Sequence, residues 1–418
     1  MKIKDREKTA ILNSLRTGVV PRVGLQHIQV GRKNELEAIL GDLGSVKEEG
    51  STIRLIVGEF GSGKTFFLTL SSSVAQSEGF VTSRVDITTE RTLYARDGKA
   101  RSTYTELVSN FSTKTKPDGN ALSQIIDKWI SDNQIDFNDS NSSSIVEEKL
   151  RPLSEFVSGM DFAKVISSYI EGYRDDNRSL MDNSLRWLKG EYPNKTSAKS
   201  DLPVMSIITD ENYYDYLKLW SAFIGMTSFK GMLICIDELA VLARLKSNVR
   251  AKNYEAILKM INDSLQGANR GIMFLLGGTP EFVYDKNKGL YSYGALETRL
   301  AKNPFETEGI IDFSNPTINL PNLTPEELFV CFKNIRNVFS KGDENIHLIN
   351  DEGLHSFLNH CYKKMGAESF LSPREAIKDF VGLLSILEQN PNKTWEDFID
   401  SLKENQGYES ELENFKLG

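Results

Sequence analysis

The 418-residue chain is poor in cysteine: Cys235, Cys331 and Cys361 are its only three. Three widely spaced thiols cannot build a disulfide framework, so the core must be held by burial. Cys235, inside an apolar run, reads as a small core residue, and a reducing cytoplasm is the expected compartment. Long apolar runs are also missing. No stretch of about 18 apolar residues occurs, which excludes a membrane-spanning helix. The first residues, MKIKDREKTAILNSL, carry charge but no apolar stretch before small residues, so no signal peptide is expected. Excess positive charge is lacking too. A net charge of −8 argues against a chain coated by nucleic acid, although a local basic groove remains compatible. No internal repeat is visible.

What is present is a mixed pattern with ordinary proportions, 39% hydrophobic and 26% charged, which suits a globular protein with one large core. Helical spacing predicts a helix from Arg6 to about Thr17, ended by Gly18 and Pro21. A second helix starts near Lys33, with Leu36, Ile39 and Leu40 on one face. Thr52–Val57 is short, β-branched and apolar, and reads as a buried strand. Glycines, a helix and a second strand, Phe80–Thr88, follow it. Strand, loop, helix, strand is a βαβ unit and implies a parallel sheet.

Residues from about Glu90 to Phe229 read as a helical insertion, with polar loops at Asn138–Ser144 and within EYPNKTSAKSDLP. Strands resume at Met232–Glu238 and Gly271–Glu281, and a short one is expected within GIIDFSNPTINL. Helices are expected at Glu326–Phe339, Asp351–Lys364 and Pro373–Leu387, then an acidic tail that frays. The expected fold class is α/β, a P-loop core with a parallel five-stranded sheet, a large helical insertion and a C-terminal helical lid. The expected division is a helix and leader over 1–29, a core over 30–322, and a lid with tail over 323–418.

GEFGSGKT, Gly58 to Thr65, satisfies the G-x-x-x-x-G-K-[ST] phosphate-loop pattern. Glycines let the backbone curl so that successive N–H groups face phosphate oxygens, and the helix start adds positive potential. Gly58, Glu59, Phe60, Gly61, Ser62, Gly63, Lys64, Thr65 and Phe66 are the expected phosphate cradle. Lys64 supplies charge to the β- and γ-phosphates, and Thr65 a hydroxyl ligand for Mg2+. The competing reading is a plain glycine turn. An apolar strand before it and a helix after it favour the cradle.

Such a cradle requires a buried strand ending in an acid, and LICIDE supplies one. Asp237 is the expected magnesium-side acid, and Glu238 the general base for an attacking water. Two solvated acids at a strand end are the alternative. The adjacent pair suits ATP hydrolysis by water, and no acceptor-binding motif for a kinase is visible. Thr279, after the strand GIMFLLGG, is aimed at the same strand ends and is a candidate contact for γ-phosphate or water. A glycine turn after a strand is the alternative.

These motifs, with VGRKNEL (Val30 to Leu36) before the first strand and LSPREAIKDF (Leu371 to Phe380) near the end, occur in the order found in AAA+ ATPases. The resemblance is nearest to their origin-recognition-like branch. It implies that Val30 and Gly31 pack by the adenine and that Arg374 reaches the γ-phosphate from the lid. It also implies a trans-acting arginine. Arg299 in ALETRLAKNPF is the candidate, Arg250 and Arg270 are rivals, and a solvated charge is the alternative.

A narrower resemblance links LRTGVVPRVGLQHIQVGRKNELEAI, GEFGSGKTFFL, RWLKGE and SPREAIKDF to the BREX-system ATP-binding proteins of bacteriophage exclusion, in their smaller, D-type form. It implies an ATP-hydrolysing, Mg2+-dependent partner of helicase-like or methylation components in phage defence, acting as an ATP-dependent homo-oligomer, with duplex DNA a possible partner and no membrane. An ATP-gated scaffold with little turnover is the competing expectation.

Three further signals are weaker. His355, His360 and Cys361 lack a second Cys/His pair, so a packed lid helix is favoured over a metal site. The aromatics of Asn212–Gly225 fall at helical spacing and read as core. The basic run Arg244–Asn253 reads equally as a phosphate-binding segment or a solvated loop.

Overall fold

The computed structural model describes residues 3–307, 311–364 and 372–398. Among the described residues, five parallel strands form one sheet: β1 (Ser51–Val57), β2 (Val81–Asp86), β3 (Met232–Asp237), β4 (Ile272–Gly278) and β5 (Thr317–Asn319). Their order across the sheet is β2-β3-β4-β1-β5. The α/β class with a parallel five-stranded sheet is therefore the observed one. β3 and β4 are buried along their whole length, as strands covered on both faces must be. Register pairs Val57 with Gly278, and Asp86 with Asp237, so the strands end along one edge. That edge is where a parallel sheet presents functional groups.

By chain contacts the protein falls into two units. One comprises residues 34–57 and 70–319, and the other residues 1–33, 58–69 and 320–418. The larger holds the sheet. Between β2 and β3 its chain forms α-helices Lys99–Ser109, Leu122–Asp132, Ser142–Leu150, Gly159–Arg174, Arg178–Leu188, Lys195–Asp201 and Tyr213–Gly225. Their shared core is aromatic. Trp220 meets Phe111 edge-on at 5.3 Å and Phe162 at 5.0 Å, and its indole N–H donates to the Tyr104 hydroxyl at 2.9 Å. The aromatics of Asn212–Gly225 are thus core, as their spacing predicts.

Two loops expected from polarity are partly helical. Ser142 begins a helix inside the Asn138–Ser144 stretch. Lys195–Asp201 is a helix because the Asn194 side chain accepts from Ser197 N at 2.9 Å, an N-cap that composition alone does not reveal. The helix Lys33–Lys47 buries Ile39, Leu43 and Val46, whereas Leu40, expected on that face, is 40% exposed.

The smaller unit has its own core. Helix Asp5–Arg16 contributes Ile11, Leu12 and Leu15. Helices Pro325–Phe339, Asp351–Lys364 and Pro373–Gln389 contribute Phe332, Phe357 and Phe380, whose rings meet at 4.7 to 5.3 Å. Thr324 and Glu327 form a reciprocal capping box that starts Pro325–Phe339. The expected tail begins at Thr394, and its residues from 399 on lie outside the described residues, as does Leu371 at the head of the LSPREAIKDF motif.

Candidate functional site

In the smaller unit, the loop after Val57 is shaped by its glycines. A Cβ on Gly58 would collide with Ser62 Oγ and lie 3.0 Å from the Leu320 carbonyl oxygen, so only glycine lets the loop close. Ser62 N donates to the Glu59 carbonyl at 3.2 Å. Gly61 and Gly63 take φ of +84° and +94°, and a Cβ on Gly63 would enter open space. Phe67 N donates to the Gly63 carbonyl at 2.8 Å, which begins helix Lys64–Ser77.

Lys64 Nζ donates to the carbonyls of Gly58 at 2.7 Å and Glu59 at 2.8 Å, and lies 5.5 Å from the Phe60 ring centre. The loop thus wraps its own ammonium, with Phe60 two-thirds exposed beside it. Thr65 sits in the first turn of the helix, where its carbonyl accepts from Thr69 Oγ1 at 2.6 Å. Open space beside Gly63, a curled backbone and a centred cation are what a bound phosphate chain requires, so these residues fit ATP.

Residues far apart in sequence meet this loop within the same unit. A Cβ on Gly61 would lie 2.6 Å from Ser372 Oγ and 4.0 Å from Arg374 Cβ. Arg374 is exposed in the first turn of helix Pro373–Gln389. Its Cγ lies 3.5 Å from where a Cβ on Gly18 would stand. Val30 is half-buried against the core of the smaller unit. Gly31, at φ +62°, is backed by the Glu327 carboxylate. Arg32 donates through Nη2 to the Ser62 carbonyl at 3.3 Å and to the Pro321 carbonyl.

In the larger unit, Asp237 closes β3 and is only 2% exposed, so its carboxylate needs charge or hydrogen-bond compensation. Oδ1 accepts from Glu238 N at 2.9 Å, and Oδ2 lies 3.5 Å from Arg84 Nη2 on β2. Glu238 is exposed and adopts φ +59°, a left-handed conformation that a residue with a Cβ takes at a cost. Thr279 is buried, and its Oγ1 accepts from Phe282 N at 3.2 Å, capping helix Pro280–Tyr284. The hydroxyl still carries a donor hydrogen for a second partner.

Arg299, on helix Gly294–Leu300, is half-buried and donates to Asn262 Oδ1 at 2.6 Å and the Ala295 carbonyl at 3.0 Å. Arg250 donates more loosely to the Ala243 and Leu245 carbonyls, and Arg270 is exposed. The basic run Arg244–Asn253 is helical from Ser247 onward.

Arg84 escaped the sequence reading, and Arg32 was read only as the arginine of the apolar-Gly-Arg element in VGRKNEL, by the adenine. The signals were slight: an arginine beside a glycine, and a lone charge two residues before Asp86 on a buried strand. His355 stacks on Phe329 at 4.1 Å, and Cys361 is buried. Among the described residues no cluster of three or more His, Cys, Asp or Glu is placed to hold a metal. Magnesium beside a nucleotide needs only one or two protein oxygens, because phosphates and water supply the rest. No helix among the described residues is long and apolar enough to cross a membrane.

A family model described as BREX system ATP-binding protein BrxC/D matches residues 3–403. No curated protein matches the chain. Among solved structures, that of the ORC2 protein of Aeropyrum pernix, in ADPNP–ADP complexes, is similar at 14% identity and a TM-score of 0.45, covering 97% of this chain and 73% of that one.

Proposed function

The chain belongs to the BREX system ATP-binding proteins, the BrxC/D family, and from that premise we propose that it is a D-type AAA+ ATPase of phage defence. It binds and hydrolyses Mg-ATP to load or remodel a DNA-acting partner complex. The observation that carries this reading is the loop Gly58–Thr65, curled by left-handed glycines around the Lys64 ammonium.

In the proposed division of roles, Val30 and Gly31 flank the adenine. Backbone N–H groups from Glu59 to Phe66 and the Lys64 ammonium hold the phosphates. Mg2+, when bound through Thr65 and Asp237, supplies positive charge to the phosphate oxygens. Glu238 accepts a proton from the attacking water, and Thr279 donates its hydroxyl hydrogen to the γ-phosphate or that water. Arg374 neutralises γ-phosphate charge, and loss of that charge frees the lid helices to move. Arg299 serves a neighbouring copy in an ATP-dependent homo-oligomer. The partners are helicase-like or methylation components of the same defence in the cytoplasm, with duplex DNA as the substrate surface.

The test is ATP turnover by the purified chain, with and without duplex DNA, using Lys64→Ala as the blank. Turnover raised several-fold by DNA supports the reading. Tight ATP binding with negligible turnover in both conditions would replace it with an ATP-gated scaffold. Glu238→Gln sharpens the choice, since it is expected to trap an ATP-bound oligomer. A variant that stays monomeric in saturating ATP sinks the oligomeric motor.

A further inference from the structure

The reaction scheme above leaves unused an arginine that touches the phosphate loop itself. Arg32 sits at φ +63°, directly after Gly31 at φ +62°. An arginine is held in that left-handed region only where surrounding contacts enforce it. Two of its contacts are to main chain: Nη2 donates to the Ser62 carbonyl at 3.3 Å and to the Pro321 carbonyl. Ser62 is the residue before Gly63 in the loop, and Pro321 lies just before the lid helices.

No peptide bond among the described residues is cis. In a trans peptide the C=O and the N–H point in opposite directions. A guanidinium that fixes the Ser62 carbonyl on one side therefore fixes the Gly63 N–H on the other. Gly63 is the position where a Cβ would enter open space. A charged donor on the carbonyl also polarises the peptide, which makes its N–H a stronger donor. Without that hold, a glycine peptide rotates readily, because glycine tolerates both signs of φ.

We propose that Arg32 is a positioning residue for the phosphate loop: by gripping the Ser62 carbonyl it turns the Gly63 N–H towards a bound nucleoside di- or triphosphate. The shared bond to Pro321 ties the same peptide to the segment that leads into the lid. This inference rests on the ATP-binding reading above.

The experiment measures ADP and ATP affinity by titration calorimetry, and melting temperature with and without ADP, for the full chain, Arg32→Gln and Arg32→Lys. Arg32→Gln is expected to weaken both nucleotides about tenfold, the loss of one charge-assisted hydrogen bond. It is also expected to shrink the ADP-induced rise in melting temperature while keeping the nucleotide-free value. Arg32→Lys, which keeps a charged donor, should recover part of the loss, and it carries the test where Arg32→Gln fails to fold. Unchanged ADP affinity in Arg32→Gln overturns the inference alone. So does a nucleotide-free melting temperature that falls in step with affinity, which would make Arg32 a purely structural clamp. A wild-type chain that binds neither nucleotide overturns the ATP reading and the inference together.

Discussion

The two units solve the problem of polar groups differently. In the larger one, the carboxylates of Asp161, Asp210 and Asp42 anchor the polar groups around them. Asp161 Oδ2 accepts from Met205 N, Ser206 N and Ser206 Oγ at 2.6 to 3.0 Å. Asp210 accepts from Gly98 N and Arg101 N at 2.7 and 2.8 Å. Arg54 grips both oxygens of buried Asp42 and also reaches the Phe313 and Asn315 carbonyls. In the smaller unit, the loop that matters is held by long cations on main-chain carbonyls, Lys64 on Gly58 and Glu59, Arg32 on Ser62. Short buried acceptors make a frame. Long cations can leave one acceptor for another, which suits the phosphate-binding role proposed for this loop.

The sharpest way to break this contrast is in the frame. Trp220→Ala is expected to destabilise the protein by about 3–5 kcal/mol, because it opens a cavity in the aromatic core and removes the indole donor to Tyr104. Chemical denaturation reads this, and a loss below about 1 kcal/mol would mean the core is not the frame described. Arg54→Ala comes next at about 3 kcal/mol, since Asp42 is then left charged, buried and unpaired. The same denaturation curve checks it, and Arg54→Ala with Asp42→Ala should recover much of the loss.

Lys64→Ala should invert the pattern. ATP affinity falls roughly a hundredfold, about 2.7 kcal/mol, while the nucleotide-free melting temperature stays put. A melting temperature that drops with affinity would erase the distinction between frame and cradle.

The smallest effect is a pH term in the smaller unit. The carboxyl of Asp351 is held below its ordinary range by a hydrogen bond from Lys333, with Arg336 adding to it against the opposing cost of desolvation. A lowered folded-state pKa contributes stability above the ordinary carboxylate value, about 4, and that stability is lost as pH falls through the lowered one. Asp351→Asn should flatten the acid side of the stability–pH curve slightly and leave the neutral side parallel.

Much of the frame was legible because it obeys period and composition. The runs Thr52–Val57 and Met232–Glu238 are apolar and bounded, and they became β1 and β3 within a residue or so. Asp351–Lys364 appeared with its expected bounds. The curl of Gly58–Thr65 was legible because glycine spacing reports backbone shape directly. What escaped has no periodic trace. Arg32 matters through the direction of one carbonyl, and Arg84 through a neighbour 153 residues on, at Asp237. The helix Lys195–Asp201 escaped because a single asparagine cap outweighs a polar, loop-like composition. Arg374 was placed by its motif, but its closeness to Gly18 and Gly61 is a fact of tertiary structure.

The insertion has a consequence for the order in which the chain assembles. β2 and β3 are neighbours in the sheet, yet residues 87–231 separate them in sequence. Closing so long a loop in one step is entropically slow. Tyr104, shortly after β2, and Trp220, shortly before β3, are joined by a hydrogen bond. An insertion that collapses first around that pair therefore delivers the two strands to each other, like a buckle fastened before the strap is drawn tight. Pulse-labelled hydrogen exchange should then find the amides of Tyr213–Gly225 protected earlier than those of Met232–Asp237. On that timetable Asp237 and Glu238, at the end of β3, are among the last residues to take their native places.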